Sequence, residues 1–238
     1  MQKAIRAIAV LLVVGFLFAL IIYNVANPAK PDMTAWNQAM TLGNKETAEH
    51  HFIMYTGLFC PYCDKFSDAV VAHQEEFERD WLEAKKIFFE IRMTDMNYAS
   101  GHSNNSLPAA EGSYCAAKQE KFWDFYHKML SKLWDDYHSK GIGVSKESER
   151  IPDLPMDYFY TAAKDAGLDE ASFKSCMDNH ETAKEVEKNT NRAANIIDGG
   201  VPYFSFGKFS TSGFAGNWNP DNDWEQVQLM LQAGLTTK

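Results

Sequence analysis

The sequence predicts an α/β fold with a large helical insertion, preceded by one N-terminal transmembrane helix. Three observations carry this. A Cys-x-x-Cys pair, Cys60-Pro61-Tyr62-Cys63, stands between a short apolar run and an amphipathic one. Strand-like runs at 51–55 and 87–93 flank the amphipathic stretch, and the next strand follows only after roughly 90 residues of helical pattern. Ahead of all this, Ala7–Tyr23 is an unbroken apolar run, with no charge from Ala7 to Ala29.

That run follows Lys3 and Arg6 and reaches the lower end of a spanning length. A cleaved leader has a shorter apolar core and ends in a small-x-small site, whereas this one exits through Tyr23-Asn24-Val25-Ala26-Asn27-Pro28. Residues 1–26 are therefore expected to be an uncleaved signal-anchor. Positive charge ahead of the span keeps the N-terminus cytoplasmic and puts the rest of the chain outside. Residues 27–47 read as a polar linker with a short helix, and 48–235 as the folded domain.

Within that domain, His51–Tyr55 is the first predicted strand. A helix is predicted over 61–82, with Phe66, Val70, Phe77 and Trp81 on one face. Ile87–Met93 is apolar almost throughout, which suits a strand covered on both faces. Residues 97–106 read as a loop. One long helix is predicted from Leu107 to about His138, followed by a proline-containing loop. Three shorter helices follow, the first stopped by Gly167 and the second capped by Asp169. This helical insert covers about 107–197. Tyr203–Phe206 and Thr211–Ala215 read as a hairpin, and a last helix begins after Asn219.

The cysteine pair carries the chemistry. At a helix N-terminus Cys60 meets unpaired N–H groups and the positive end of the helix dipole, so its thiol is expected to ionise below its free value. Pro61 suits the first turn because its missing N–H has no partner there anyway. Cys63, one turn on, is placed to attack a mixed disulfide on Cys60. Half of a structural zinc site is the alternative, but neither Cys115, Cys176 nor the adjacent His50-His51 completes one at matching spacing. The formal net charge of −9, with no basic stripe, argues against nucleic acid as a partner.

Three stretches in this order resemble the DsbA-like thiol:disulfide oxidoreductases, a thioredoxin-fold family, and among them the membrane-anchored Gram-positive and actinobacterial type. They are Phe59-Cys60-Pro61-Tyr62-Cys63-Asp64-Lys65-Phe66, the segment from Tyr114-Cys115-Ala116 to Phe122-Trp123, and Gly199-Gly200-Val201-Pro202-Tyr203-Phe204. The resemblance implies a thioredoxin fold for the domain. It implies that Cys60 is the nucleophile, that Cys63 resolves, and that Pro61 and Tyr62 tune the thiolate. It further implies that Pro202 is cis beside the pair and that Val201 and Pro202 shape a substrate platform. With an oxidising compartment, it makes a structural Cys115–Cys176 disulfide the first reading, two buried free thiols being the other.

Two departures matter. The acidic residue that many members carry six positions ahead of the first cysteine is here Met54, and Glu90 is the candidate substitute. The dipeptide between the cysteines is Pro-Tyr, without the histidine of the strongest oxidants. The remaining histidines read as scattered, with His127 and His138 among exposed charges. Phe209 and Phe214 are candidates for a hydrophobic substrate groove. The resulting expectation is an extracytoplasmic oxidoreductase, acting on reduced or unfolded exported proteins and needing no dissociable cofactor. A membrane redox partner, such as a quinone-linked enzyme, would reoxidise it. A reductase or isomerase is the nearest alternative, and a Cu(I)-binding module is the alternative from another class.

Overall fold

Two parallel strands joined through one helix set the frame. Strand β2 (His50–Thr56) runs into helix α1 (Pro61–Ala72), and β3 (Ile87–Met93) returns beside β2 in parallel, with Phe52 opposite Phe89. The computed structural model describes residues 40–96, 104–145 and 147–237. The predicted anchor, 1–26, lies outside them. Among the described residues no helix is long and apolar enough to cross a membrane.

Among the described residues the sheet has five strands, in the order β1 (Thr41–Leu42), β3, β2, β4 (Tyr203–Phe206), β5 (Phe209–Ser212). Strand β4 (Tyr203–Phe206) lies antiparallel to β2, and β5 (Phe209–Ser212) folds back on β4. Side-chain alternation divides the sheet faces. Phe52, Phe89 and Phe204 point to the face covered by α1, where Phe66 meets all three rings within 6.4 Å. His51, Glu90, Arg92 and Tyr55 belong to the other face.

Strand β1 (Thr41–Leu42) lies inside the segment predicted as linker with a short helix. It is instead an edge strand, antiparallel to β3, with Thr41 opposite Glu90. Two residues are too few for a period-2 pattern to show. The second hairpin strand also starts earlier than expected, because Gly207 (φ 61°) makes a two-residue turn and sets Phe206 opposite Phe209.

The predicted helix over 61–82 is interrupted at His73, whose ring stacks on Trp224 at 5.2 Å. Beyond it come a short turn, Gln74–Glu76, and a π-helical stretch, Phe77–Glu83, that buries Phe77, Trp81 and Leu82.

The insert is built of α2 (Ser106–Ala117), α3 (Phe122–Asp136), α4 (Met156–Asp165), α5 (Glu170–Asp178) and α6 (Ala183–Ile196). The expected single helix from 107 to 138 is two, because Glu120 adopts a left-handed φ of 58°. The N–H groups of Lys121 and Glu120 return to the carbonyls of Ala116 and Ala117, closing α2 in a Schellman motif without glycine. Gly167 (φ 74°) closes α4 in the same way, with Leu168 N–H on Ala163 C=O at 3.0 Å. Asp169 caps α5 by accepting from Ser172 N–H at 2.8 Å.

The last helix, α7 (Pro220–Thr236), packs against α1 and β4. A Cβ at Gly234 would lie 1.9 Å from the Phe206 ring, which is itself 1 % exposed. In an open helix Gly→Ala gains about 1 kcal/mol. Here overpacking reverses the sign. Gly234→Ala is expected to lower stability by about 1–3 kcal/mol, read from the urea midpoint at unchanged slope.

Candidate active site

Cys60 is the N-cap of α1, with extended backbone (φ −104°, ψ 107°), and Pro61 opens the helix. The Cys60 sulfur accepts from Cys63 N–H at 3.3 Å and donates to the Val201 carbonyl at 3.4 Å. The Val201-Pro202 peptide is cis. Five of the sequence-predicted residues therefore meet at one point: Cys60, Pro61, Cys63, Val201 and Pro202. Tyr62 lies beside them with its ring 4.9 Å from the ammonium of Lys65. Cys60 and Cys63 are unbridged and buried.

That burial corrects one expectation. The thiol of Cys60 is not pushed below its free value but well above it, first by burial, then by its hydrogen bond with Cys63 and the charges of Cys63 and Asp64. The Cys63 N–H acts in the opposite sense. The helix terminus does favour the thiolate, but a cysteine that is 1 % exposed loses more hydration than one N–H returns.

Cys115 and Cys176 are joined by a disulfide, S–S 2.01 Å, that ties α2 to α5 with Cα atoms 5.9 Å apart. It is a feature of the insert and not of the redox centre.

The insert also sends side chains to the back of α1. Tyr126 Oη and Ser67 Oγ are 2.7 Å apart, and Ser67 Oγ donates to the Cys63 carbonyl at 3.0 Å. His138, in a short 3₁₀ turn after α3, puts Nδ1 3.5 Å from Asp64 Oδ2. Both side chains are 1 % exposed, so His138 is not among exposed charges as its neighbours in sequence imply. Burial and repulsion by Asp68 and Cys63 push the Asp64 carboxyl well up, while burial and the charge of Lys65 push His138 down to about 4. Asp68, one turn further on, is pushed up to about 6 by burial and Asp223.

Lys65 is nearly buried and its ammonium lies 5.4 Å from the ring of Trp218, whose backbone is left-handed at φ 66°. Trp218 in turn lies 5.2 Å from the His138 ring. Asp64, Lys65, Tyr126, His138 and Trp218 are the site residues missed from sequence. The only local signal was an acid in a first helical turn, which reads equally as a surface residue facing the helix dipole.

Glu90 is no substitute for the acid missing at Met54. It lies on the opposite face of the sheet from α1, bound by His51 Nε2 at 2.7 Å and by Arg92. Burial pushes its carboxyl up, but those two partners outweigh it and hold it below the usual range. Phe214 packs on Phe66 at 5.5 Å and is core, not groove wall. A groove of about 590 Å³ runs instead along the flank of α1, between Val71, Leu130, Trp134 and Trp218. Among the described residues no cluster of three or more His, Cys, Asp or Glu side chains is placed to hold a metal.

A dithiol at a helix N-cap, set against a cis-proline loop at one end of a mixed sheet, defines a class of protein that exchanges disulfides. The thioredoxin family model matches residues 36–204. The chain belongs to the thioredoxin family, and its dithiol makes it a thiol–disulfide oxidoreductase. Its fold is shared with solved thioredoxin-like and DsbA structures. A thioredoxin-like oxidoreductase from Silicibacter pomeroyi DSS-3 superposes with a TM-score of 0.59 at 16% identity, over 88% of this chain and 100% of that one. BdbD from Bacillus subtilis, oxidised, gives 0.59 at 17% identity, over 84% and 94%. Wolbachia pipientis alpha-DsbA1 gives 0.56 at 16%, over 87% and 94%. No curated protein matches the sequence.

Proposed function

We propose that the protein is a membrane-anchored, extracytoplasmic oxidant of exported proteins. A substrate thiolate attacks Cys60 of the Cys60–Cys63 disulfide, Cys63 leaves, and the second substrate thiol displaces Cys60. The observation that carries the exchange reading is the contact of Cys60 Sγ with the Val201 carbonyl, which sets the attacked sulfur against a backbone platform. An extended substrate segment could add to that backbone by strand pairing. The Cys115–Cys176 bridge, remote from this chemistry, supports an oxidising compartment, where such bonds persist. The uncharged run at 7–29 supports an anchor, and a membrane partner, quinone-linked in our reading, reoxidises the dithiol.

One observation favours the second reading, a reductase or isomerase. Strong oxidants have a stabilised reduced form. Here burial withholds that stabilisation from the Cys60 thiolate. Equilibration against glutathione buffers separates the two. An oxidant should settle toward about −120 mV, whereas a value near −270 mV would make the protein a reductant. Expressed in cells, the full chain should stay with membranes through an alkaline wash. A mature N-terminus near Pro28 would replace the anchor with a cleaved leader.

A further inference from the structure

We propose that the groove beside α1 receives a cationic side chain, arginine best, from the polypeptide that exchanges with the dithiol. The inference rests on the reading that the dithiol reacts with polypeptides, and not on the direction of exchange or the compartment.

Three elements build the groove. Helix α1 gives Asp68 and Val71, α3 gives Leu130 and Trp134, and the loop ahead of α7 gives Trp218. Its volume of about 590 Å³ is that of a ligand site. Trp134 is 39 % exposed, so part of that indole stays uncovered. Trp218 is set in place by its backbone, which is left-handed at φ 66°, a strained region for a residue other than glycine. The buried Asp223 carboxylate holds it there, accepting from Asn217 N–H at 2.9 Å and Trp218 N–H at 3.1 Å.

The charge of the groove is one-sided. Asp223 is spent on those two amides, but Asp68 makes no hydrogen bond and no ion pair among the described residues. The rise of its carboxyl to about 6, caused by burial and Asp223, is the direction expected of an acid that lacks a cation. His127, at the α3 side, brings no charge, because burial holds its imidazole below the usual range. The Lys65 ammonium is engaged with the rings of Trp218 and Tyr62.

An arginine answers each of these features. Its flat guanidinium stacks on an indole and forks onto a carboxylate, while its stem covers apolar wall. A purely apolar occupant would strip water from Asp68 and leave it unpaired, which is costly. A second copy of this chain, itself at −9, would meet like charge. The groove also lies within reach of the exchange. Asp68 and Val71 follow Cys60 by about 12–16 Å along the helix, at 1.5 Å per residue. An extended segment covers that in about four or five residues.

The test measures how fast thiol peptides reduce the oxidised full-length protein in detergent, near neutral pH and physiological ionic strength. Each peptide carries a single cysteine in a neutral chain. Arginine, glutamine, leucine or glutamate is placed at successive distances on either side of it. Rates are corrected for the peptide's thiolate fraction and divided by the same protein's rate with uncharged mercaptoethanol. Arginine about four or five residues away should react at least about fivefold faster than glutamine, a modest gain for a cation on an indole beside a carboxylate. Glutamate there should be slower than glutamine, and arginine next to the cysteine should gain little. Asp68→Asn should bring the arginine peptide down to the glutamine peptide, and Trp134→Leu should shrink the difference. Equal rates for arginine and glutamine in the wild type overturn the proposal, however the variants fold. So does an arginine gain that is the same at every distance or survives Asp68→Asn, which would be net charge alone. A leucine peptide faster than the arginine one would put an apolar segment in the groove, and rates falling with protein concentration would put a second copy there; either overturns it. Peptides no faster than mercaptoethanol at any sequence would remove the polypeptide reading itself, and this proposal with it.

Discussion

Cys60→Ser is expected to reduce oxidation of a reduced, unfolded substrate protein to the uncatalysed rate. Serine preserves the N-cap, since its hydroxyl accepts from the Cys63 N–H as the sulfur does at 3.3 Å. The helix should form and the fold should persist. What is lost is the atom that forms the mixed disulfide. Cys63 is not placed to take over, because it lies inside the first turn of α1 with Ser67 and Tyr126 packed behind it, whereas Cys60 is the N-cap and meets the Val201 carbonyl. Cys63→Ser should differ in kind: Cys60 would still attack a disulfide, but the mixed species would accumulate instead of resolving. Gel-shift trapping of that species separates the two roles. Undiminished turnover in Cys60→Ser would remove the dithiol assignment altogether.

Removing the insert disulfide should cost stability without costing chemistry. Cys115 and Cys176 are 61 positions apart, and closing a loop of that size restricts the unfolded chain by about 4 kcal/mol. Both sulfurs are buried between α2 and α5, so paired alanines also leave a small void that adds to the loss. For a domain of this size the double variant should melt roughly 10 °C lower. Turnover per folded molecule should be unchanged, because the bridge joins two insert helices, α2 and α5, and supplies no atom of the Cys60–Cys63 pair. Mild reduction, quenched and alkylated after unfolding, should label Cys60 and Cys63 and spare the other two. Labelling of all four together, or a folded double variant without turnover, would join the two pairs into one redox system.

The sequence by itself determined the frame of this protein. Strand β3 is apolar at nearly every position, and β2 runs straight into a proline-led helix. Local periodicity and capping carry such elements, and their bounds come out within a residue or so. The stops at Gly167 and the cap at Asp169 were legible for the same reason, since glycine and aspartate have local conformational and hydrogen-bonding preferences.

Where a non-glycine residue takes the left-handed region, as Glu120 does, no composition signal marks the break, and two helices read as one. Strand β1 exists only because β3 offers it an edge.

Tertiary structure alone decided the electrostatics of the site. The helix start speaks for an ionised Cys60, and only packing shows the sulfur covered and the thiol held neutral. The sheet face of Glu90 is a matter of register, and register is set by neighbours. Asp64 and His138 are 74 positions apart, and the sequence placed His138 among exposed charges. Their meeting depends on how the insert folds back over α1, and a sequence carries burial only through such long-range contacts.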